Sequence, residues 1–87
     1  MIYQTKKLGA NKKVLWYDNG VQVLVSYTTP VAAYVPYGNG SGYLRTASHY
    51  SKTTTRHINS WLEGVNTESV NQSVLNKLIE AWLIIYL

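Results

Sequence analysis

The sequence predicts an α+β domain, an antiparallel sheet of about four strands from the N-terminal half packed by two C-terminal helices. Three observations carry this. From Lys13 to Ala47, short runs rich in Val, Tyr and Ala alternate around turn signals, as half-buried strands do. The last third switches to apolar residues every three to four positions, the period of one helix face. Strands precede helices instead of alternating with them, which predicts helices on one face of the sheet.

The elements follow in order. Residues 2–8 form a possible fifth strand. "KVLWYDNGVQVLVSY" holds Asn19-Gly20, a strong hairpin signal because both residues tolerate positive φ. A two-residue type I′ loop sets Asp18 opposite Val21, Trp16 opposite Val23 and Val14 opposite Val25, on the expected core face. Leu15 opposite Leu24 then leaves an apolar spot on the other face, to be covered or to serve as a contact surface. In "YTTPVAAYV" Pro30 cannot donate to a ladder, so it begins a third strand or marks an edge. Ala32 and Ala33 are small enough to let a helix approach the sheet. "PYGNGSG" (36–42) is a flexible loop, and "YLRTA" a short fourth strand.

The first helix starts after Ser51 or Thr53, either of which can cap it. Ile58, Trp61 and Leu62 make its apolar stripe, and Gly64 stops it. The second helix starts at Thr67 or Ser69, with Ser69 and Gln72 spaced as a capping box. Val70, Val74, Leu78, Trp82 and Ile85 form its stripe, broadened by Leu75, Ile79, Leu83 and Ile84. Its end, "WLIIYL", is apolar all round and wants burial on every side. This predicts a homo-oligomer seam at Trp82, Ile84, Ile85 and Leu87; a terminal segment pinned across the sheet is the alternative.

With 87 residues the chain is expected to be a single domain, 1–87. A chain of this size buries only roughly 60–65% of its unfolded surface, so good packing or self-association matters. It has no cysteine, which excludes disulfides, thiolate zinc sites and thiol catalysis and fits a reducing compartment. "MIYQTKKLGANKK" lacks the apolar core of a leader. No apolar run approaches the roughly 18–20 residues of a spanning helix. A cytoplasmic protein with no membrane contact is expected.

Charge is uneven. Residues 1–57 hold seven of the eight basic side chains and one acid, a net +6, whereas residues 58–87 hold one base and three acids, a net −2. A positive field suits a polyanionic partner, although a net charge of this size also serves solubility alone. Eight tyrosines and three tryptophans stand against no phenylalanine. Such half-polar aromatics suit interfaces, and they also suit a thin core. Arg45, Tyr37, Tyr43 and Tyr50 are the candidate partner surface.

Catalytic signals are weak. The four acids are scattered, with no pair placed for acid–base work. His49 and His57 lack a third ligand at metal spacing. His57 with a nearby hydroxyl has no nucleophile motif behind it, and "GNGSG" lacks the lysine and following helix of a phosphate loop. No catalytic residue, metal or cofactor is expected, and the chain does not read as an enzyme. The stretch "SKTTTRHI" is the richest candidate. A helix start exposes backbone N–H groups and a partial positive charge, so Lys52, Thr53, Thr54, Thr55, Arg56 and His57 together suggest an anion or partner site. The competing account is a capped helix with Arg56 solvated and His57 packed.

"LVSYTTPVAAYV" and "GYLRTASHYSKTTTRHINSWL" resemble a pattern of small uncharacterised phage and bacterial proteins. The matching positions are Ser26, Tyr27, Thr29 to Ala32, Tyr50, Ser51, Thr53, Thr54 and Arg56 to Ile58, within residues 24–62. That family has no established activity, so the resemblance carries no catalytic residues across. It implies phage origin, and with it a small non-enzymatic protein that docks on a host protein or nucleoprotein to inhibit defence or redirect the host. The alternative is a nucleic-acid-binding module using the basic first half and exposed tyrosines. The two differ in whether the basic residues share one face with aromatics, or whether Lys6, Lys7, Lys12 and Lys13 merely guard a strand edge.

Overall fold

The strands expected in the first half form, including the fifth over residues 2–8, and one more joins them from residues 68–70. The computed structural model describes residues 2–18, 20–36 and 42–78. The elements are β1 (Ile2–Gly9), β2 (Lys12–Tyr17), β3 (Gln22–Ser26), β4 (Thr29–Tyr34), β5 (Tyr43–Thr46), α1 (Lys52–Leu62) and β6 (Glu68–Val70). A second helix, α2, is described over residues 72–78. One six-stranded sheet runs in the order β1-β2-β3-β4-β5-β6. Every neighbouring pair is antiparallel except β5 and β6, which lie parallel. Because α1 separates those two strands, it supplies the crossover that parallel pairing requires.

The hairpin register differs from expectation by one residue. Leu15 faces Val23 and Val14 faces Leu24. Tyr17 N–H donates to the Val21 carbonyl (2.9 Å), and Gly20 N–H donates to the Tyr17 carbonyl (3.1 Å). The connection is therefore three residues, 18–20, closed by Gly20 at φ 92°, the geometry of a turn followed by a bulge. One extra loop residue reverses which side chains are partners across the sheet.

Both faces of the sheet are cores, so the expectation of helices on one face is corrected. Val14, Leu24, Val31 and Ala32 pack with Ile58 and Leu62 of α1. Leu15, Tyr17, Val21, Val23, Val25 and Ala33 pack with Leu75 of α2. Successive side chains of a strand point to opposite faces, so the two helices cover opposite faces. The apolar spot at Leu15 is the floor under α2. Ala32 and Ala33 are both fully buried, one beneath each helix. Pro30 lies in an inner strand, where the pairing shifts between Leu24 and Val25, and that bulge is how a ladder accommodates a proline.

Ser51 caps α1, its hydroxyl accepting from Thr54 N–H, and Glu63 ends the helix in the left-handed region just before Gly64. The second helix starts later than expected. Residues Glu68–Val70 pair with β5, so Ser69 lies in a strand rather than at a helix cap. Leu75 is fully buried, whereas Val74 is 39% exposed, which rotates the buried stripe away from Val74. The expected seam residues Trp82, Ile84, Ile85 and Leu87, like Tyr37, lie outside the described residues.

Candidate functional site

The start of α1 is tied to the sheet by a chain of hydroxyls. Ser51 Oγ donates to Thr54 Oγ1 (3.2 Å). Thr54 Oγ1 lies 3.0 Å from Ser26 Oγ, and Ser26 Oγ lies 2.8 Å from His57 Nδ1. A hydroxyl has one proton to give. The assignment that uses each once runs from Ser51 to Thr54 to Ser26 to a neutral His57 that accepts at Nδ1 and carries its proton on Nε2. The electrostatics agree: burial, then the charges of Lys12 and Arg56, hold His57 below its ordinary pKa. Ser26 and His57 are spaced like a nucleophile and its base, but Ser26 is 2% exposed and meets no solvent-borne substrate. We read the pair as a structural clamp between β3 and α1.

With Nδ1 engaged, Nε2–H is the remaining donor of a ring that lines a surface groove. Leu8, Lys12, His57, Ser60, Trp61 and Glu63 line this groove, about 400 Å³ in volume. It combines an apolar wall from Leu8 and Trp61, donors at Lys12, His57 and Ser60, and one carboxylate at Glu63. Trp16 and Leu8 are each 37% exposed and Tyr27 51%. Strand pairing puts Gln4 opposite Trp16 and Lys6 opposite Val14, on the sheet face that α1 shares. Tyr27 sits at φ 59°, uncommon for a bulky residue. It is held by its N–H donating to the Asn11 carbonyl (2.7 Å), and its ring centroid lies 6.1 Å from that of His57.

The residues expected at the helix start divide. Lys52 and Arg56 are exposed and Thr53 is half-buried. Thr54 turns inward to the hydroxyl chain, and Thr55 Oγ1 donates to the Ser51 carbonyl. His57 faces the groove on one side and Ser26 on the other. In the expected partner surface, Arg45 donates to Asn59 Oδ1 and Tyr43 lies between Tyr34 and Trp61, so both reach α1. Tyr50 instead donates to Gln72 Oε1, and Gln72 Nε2 donates to the Pro30 carbonyl, a tie to the start of α2. Sequence reading did not single out Leu8, Lys12, Ser60, Trp61 and Glu63 as one site. The only local signal was His57, Ser60 and Trp61 at i, i+3 and i+4, one helix face. Among the described residues no group of three or more His, Asp or Glu side chains is placed to hold a metal, and no helix is long and apolar enough to cross a membrane.

The chain belongs to a family of unknown function, DUF8033, whose model matches residues 1–77. The matched span takes in the groove, the hydroxyl chain and all six strands. No curated protein and no solved structure matches the chain.

Proposed function

We propose that this protein is a non-enzymatic binding module, phage-encoded and acting in the host cytoplasm, that docks on a host protein or nucleoprotein. Its docking face is the side of the sheet shared by α1 and the β1–β2 hairpin. One observation carries the reading: Leu8, Trp16 and Tyr27 remain substantially exposed, Leu8 in the wall of the groove that Lys12, His57 and Trp61 also line, Tyr27 with its ring 6.1 Å from that of His57, and Trp16 on the same sheet face as Lys12 and Val14. A small domain that buries both sheet faces elsewhere has little reason to leave large apolar side chains together in water. Trp and Tyr beside a cation are the residues that dominate protein contacts.

Direct nucleic-acid binding is the second reading, favoured by Lys6 and Lys12 on the same face as Trp16. Glu63 in the groove counts against a phosphate backbone there. Capture from host lysate by the full chain, with and without nuclease treatment, separates the two. The docking reading expects a partner that survives nuclease and is lost with Trp16→Ala/Tyr27→Ala. Loss of every partner on nuclease treatment transfers the function to nucleic acid.

A further inference from the structure

The outer edge of the sheet at β1 combines features that point to one class of occupant. Among the described residues no strand pairs with its outer side. Register shifts interrupt its pairing at either end, between Ile2 and Gln4 and between Lys7 and Gly9, leaving Gln4–Lys7 as a regular exposed edge. Such an edge offers unpaired backbone donors and acceptors in a row. Lys7 stands directly opposite Lys13, and both are exposed. Like charges in that position destabilise a sheet. Lys6 projects to the face of α1, and Lys7 to the face of α2, because neighbours alternate. Residues 2–17 contain four lysines and no acid, so neither strand of this hairpin relieves the repulsion.

We propose that the edge of β1 takes an acidic extended segment of a protein partner as a seventh strand, with adjacent carboxylates opposite Lys6 and Lys7. The inference rests on the reading of the chain as a binding module and names the chemistry of its partner. Backbone hydrogen bonds give such a strand its affinity, and side chains on alternate faces give it selectivity. A carboxylate opposite Lys7 completes a row with Lys13, turning a repulsive pair into an attractive triplet. A second copy of the chain is disfavoured, because antiparallel pairing through β1 sets lysines near lysines. Nucleic acid matches the charge but has no strand backbone to complete the ladder. Leu8, which lines the groove, joins this edge to the docking face.

The probe is a fluorescein-labelled, capped peptide of about ten residues, a common strand length, with Thr-Val alternation around a central Glu-Glu pair. Fluorescence anisotropy in low salt is expected to show saturable one-to-one binding. Replacing Glu-Glu by Gln-Gln weakens it roughly two- to thirtyfold, the loss of two cross-strand charge pairs. Lys6→Glu/Lys7→Glu loses the Glu-Glu peptide and gains a Lys-Lys peptide, a charge swap that a purely structural role for the lysines does not produce. N-methylation of alternate peptide residues abolishes binding in one set and spares it in the other, because only alternate N–H groups face the edge. The proposal is overturned if Lys6→Glu/Lys7→Glu binds the Glu-Glu peptide as wild type does. Equal effects of the two N-methyl sets overturn it too, as does oligothymidylate binding with the same lysine dependence, or a dimer that Lys6→Glu/Lys7→Glu dissociates. If the peptide fails while Trp16→Ala/Tyr27→Ala still loses a captured partner, the edge inference falls and the docking face stands. If neither dependence appears, both fall.

Discussion

Ser26→Ala tests the clamp between sheet and helix. The side chain is 2% exposed and joins Thr54 Oγ1 at 3.0 Å to His57 Nδ1 at 2.8 Å. Each buried hydrogen bond contributes about 0.5–1.5 kcal/mol net, so losing both costs about 1–3 kcal/mol. The void is one oxygen in size, and Thr54 keeps its bond to Ser51, so packing adds little. A domain of this length has about 4–13 kcal/mol of stability in all, so the loss is a sizeable share. Thermal melts followed by tryptophan fluorescence should show Tm lower by about 4–8 °C per kcal/mol. Urea melts should show a lower midpoint at unchanged slope.

The same clamp predicts a pH dependence. His57 has a folded pKa below its unfolded value, which is about 6.5. Above that value both states are neutral and the group contributes nothing to the slope. As pH falls below about 6.5 the unfolded chain takes up a proton that the folded chain refuses, so stability falls until the folded pKa is reached and then levels off. Protonation at Nδ1 would also require Ser26 to accept and the hydroxyl chain to reverse. His57→Gln should remove this acid component, whereas Ser26→Ala leaves in place the burial and the Lys12 and Arg56 charges that cause it. A Ser26→Ala protein with unchanged Tm would refute the clamp, and an acid limb that survives His57→Gln would refute its assignment to His57.

Gly20→Val should cost about 1–2 kcal/mol for a left-handed L-residue, since Gly20 is at φ 92° and an added Cβ meets Pro36 Cγ at 3.2 Å; an unchanged urea midpoint would contradict the three-residue loop. Leu75 is fully buried against the α2-side core, so Leu75→Ala should lose about 2–5 kcal/mol, and a loss under about 1 kcal/mol would mean that α2 does not cover that face. Tyr27→Asn should hold or raise Tm, because Asn tolerates positive φ better, while weakening capture of the partner; a large fall in Tm would make Tyr27 a packing residue. If residues 82–87 form the proposed self-association seam, Ile84→Glu/Leu87→Glu should give a smaller species by light scattering, and a wild type already monomeric at high concentration removes the seam.

Much of the chain was legible because its signals are local. A hydroxyl cap at Ser51 or Thr53, Ile58 and Leu62 in the apolar stripe of α1, a stop at Gly64, and strands on either side of Asn19-Gly20 all follow from side-chain chemistry within a few residues; the structure selects Ser51. The basic bias of the first half and the absence of cysteine are likewise properties of composition. The local signals set the α+β class before any contact was known.

What the sequence could not decide depended on partners far along the chain. Asn-Gly suits a two-residue or a three-residue loop, and the choice between them reverses the pleat of β2 against β3. Leu and Val at successive positions in β2 and β3 are compatible with one covered face or two, and only the packing of Ile58 and Leu75 on opposite faces shows two. Glu68–Val70 reads as the first turn of a helix because the apolar spacing continues through it, yet β5 offers an unpaired edge and the ladder it completes outweighs local preference. The groove and the hydroxyl chain join Leu8 and Lys12 to α1, and Ser26 to a histidine 31 residues away. No local period encodes such a meeting, because the backbone path between the two ends, not the residues at them, determines whether they touch.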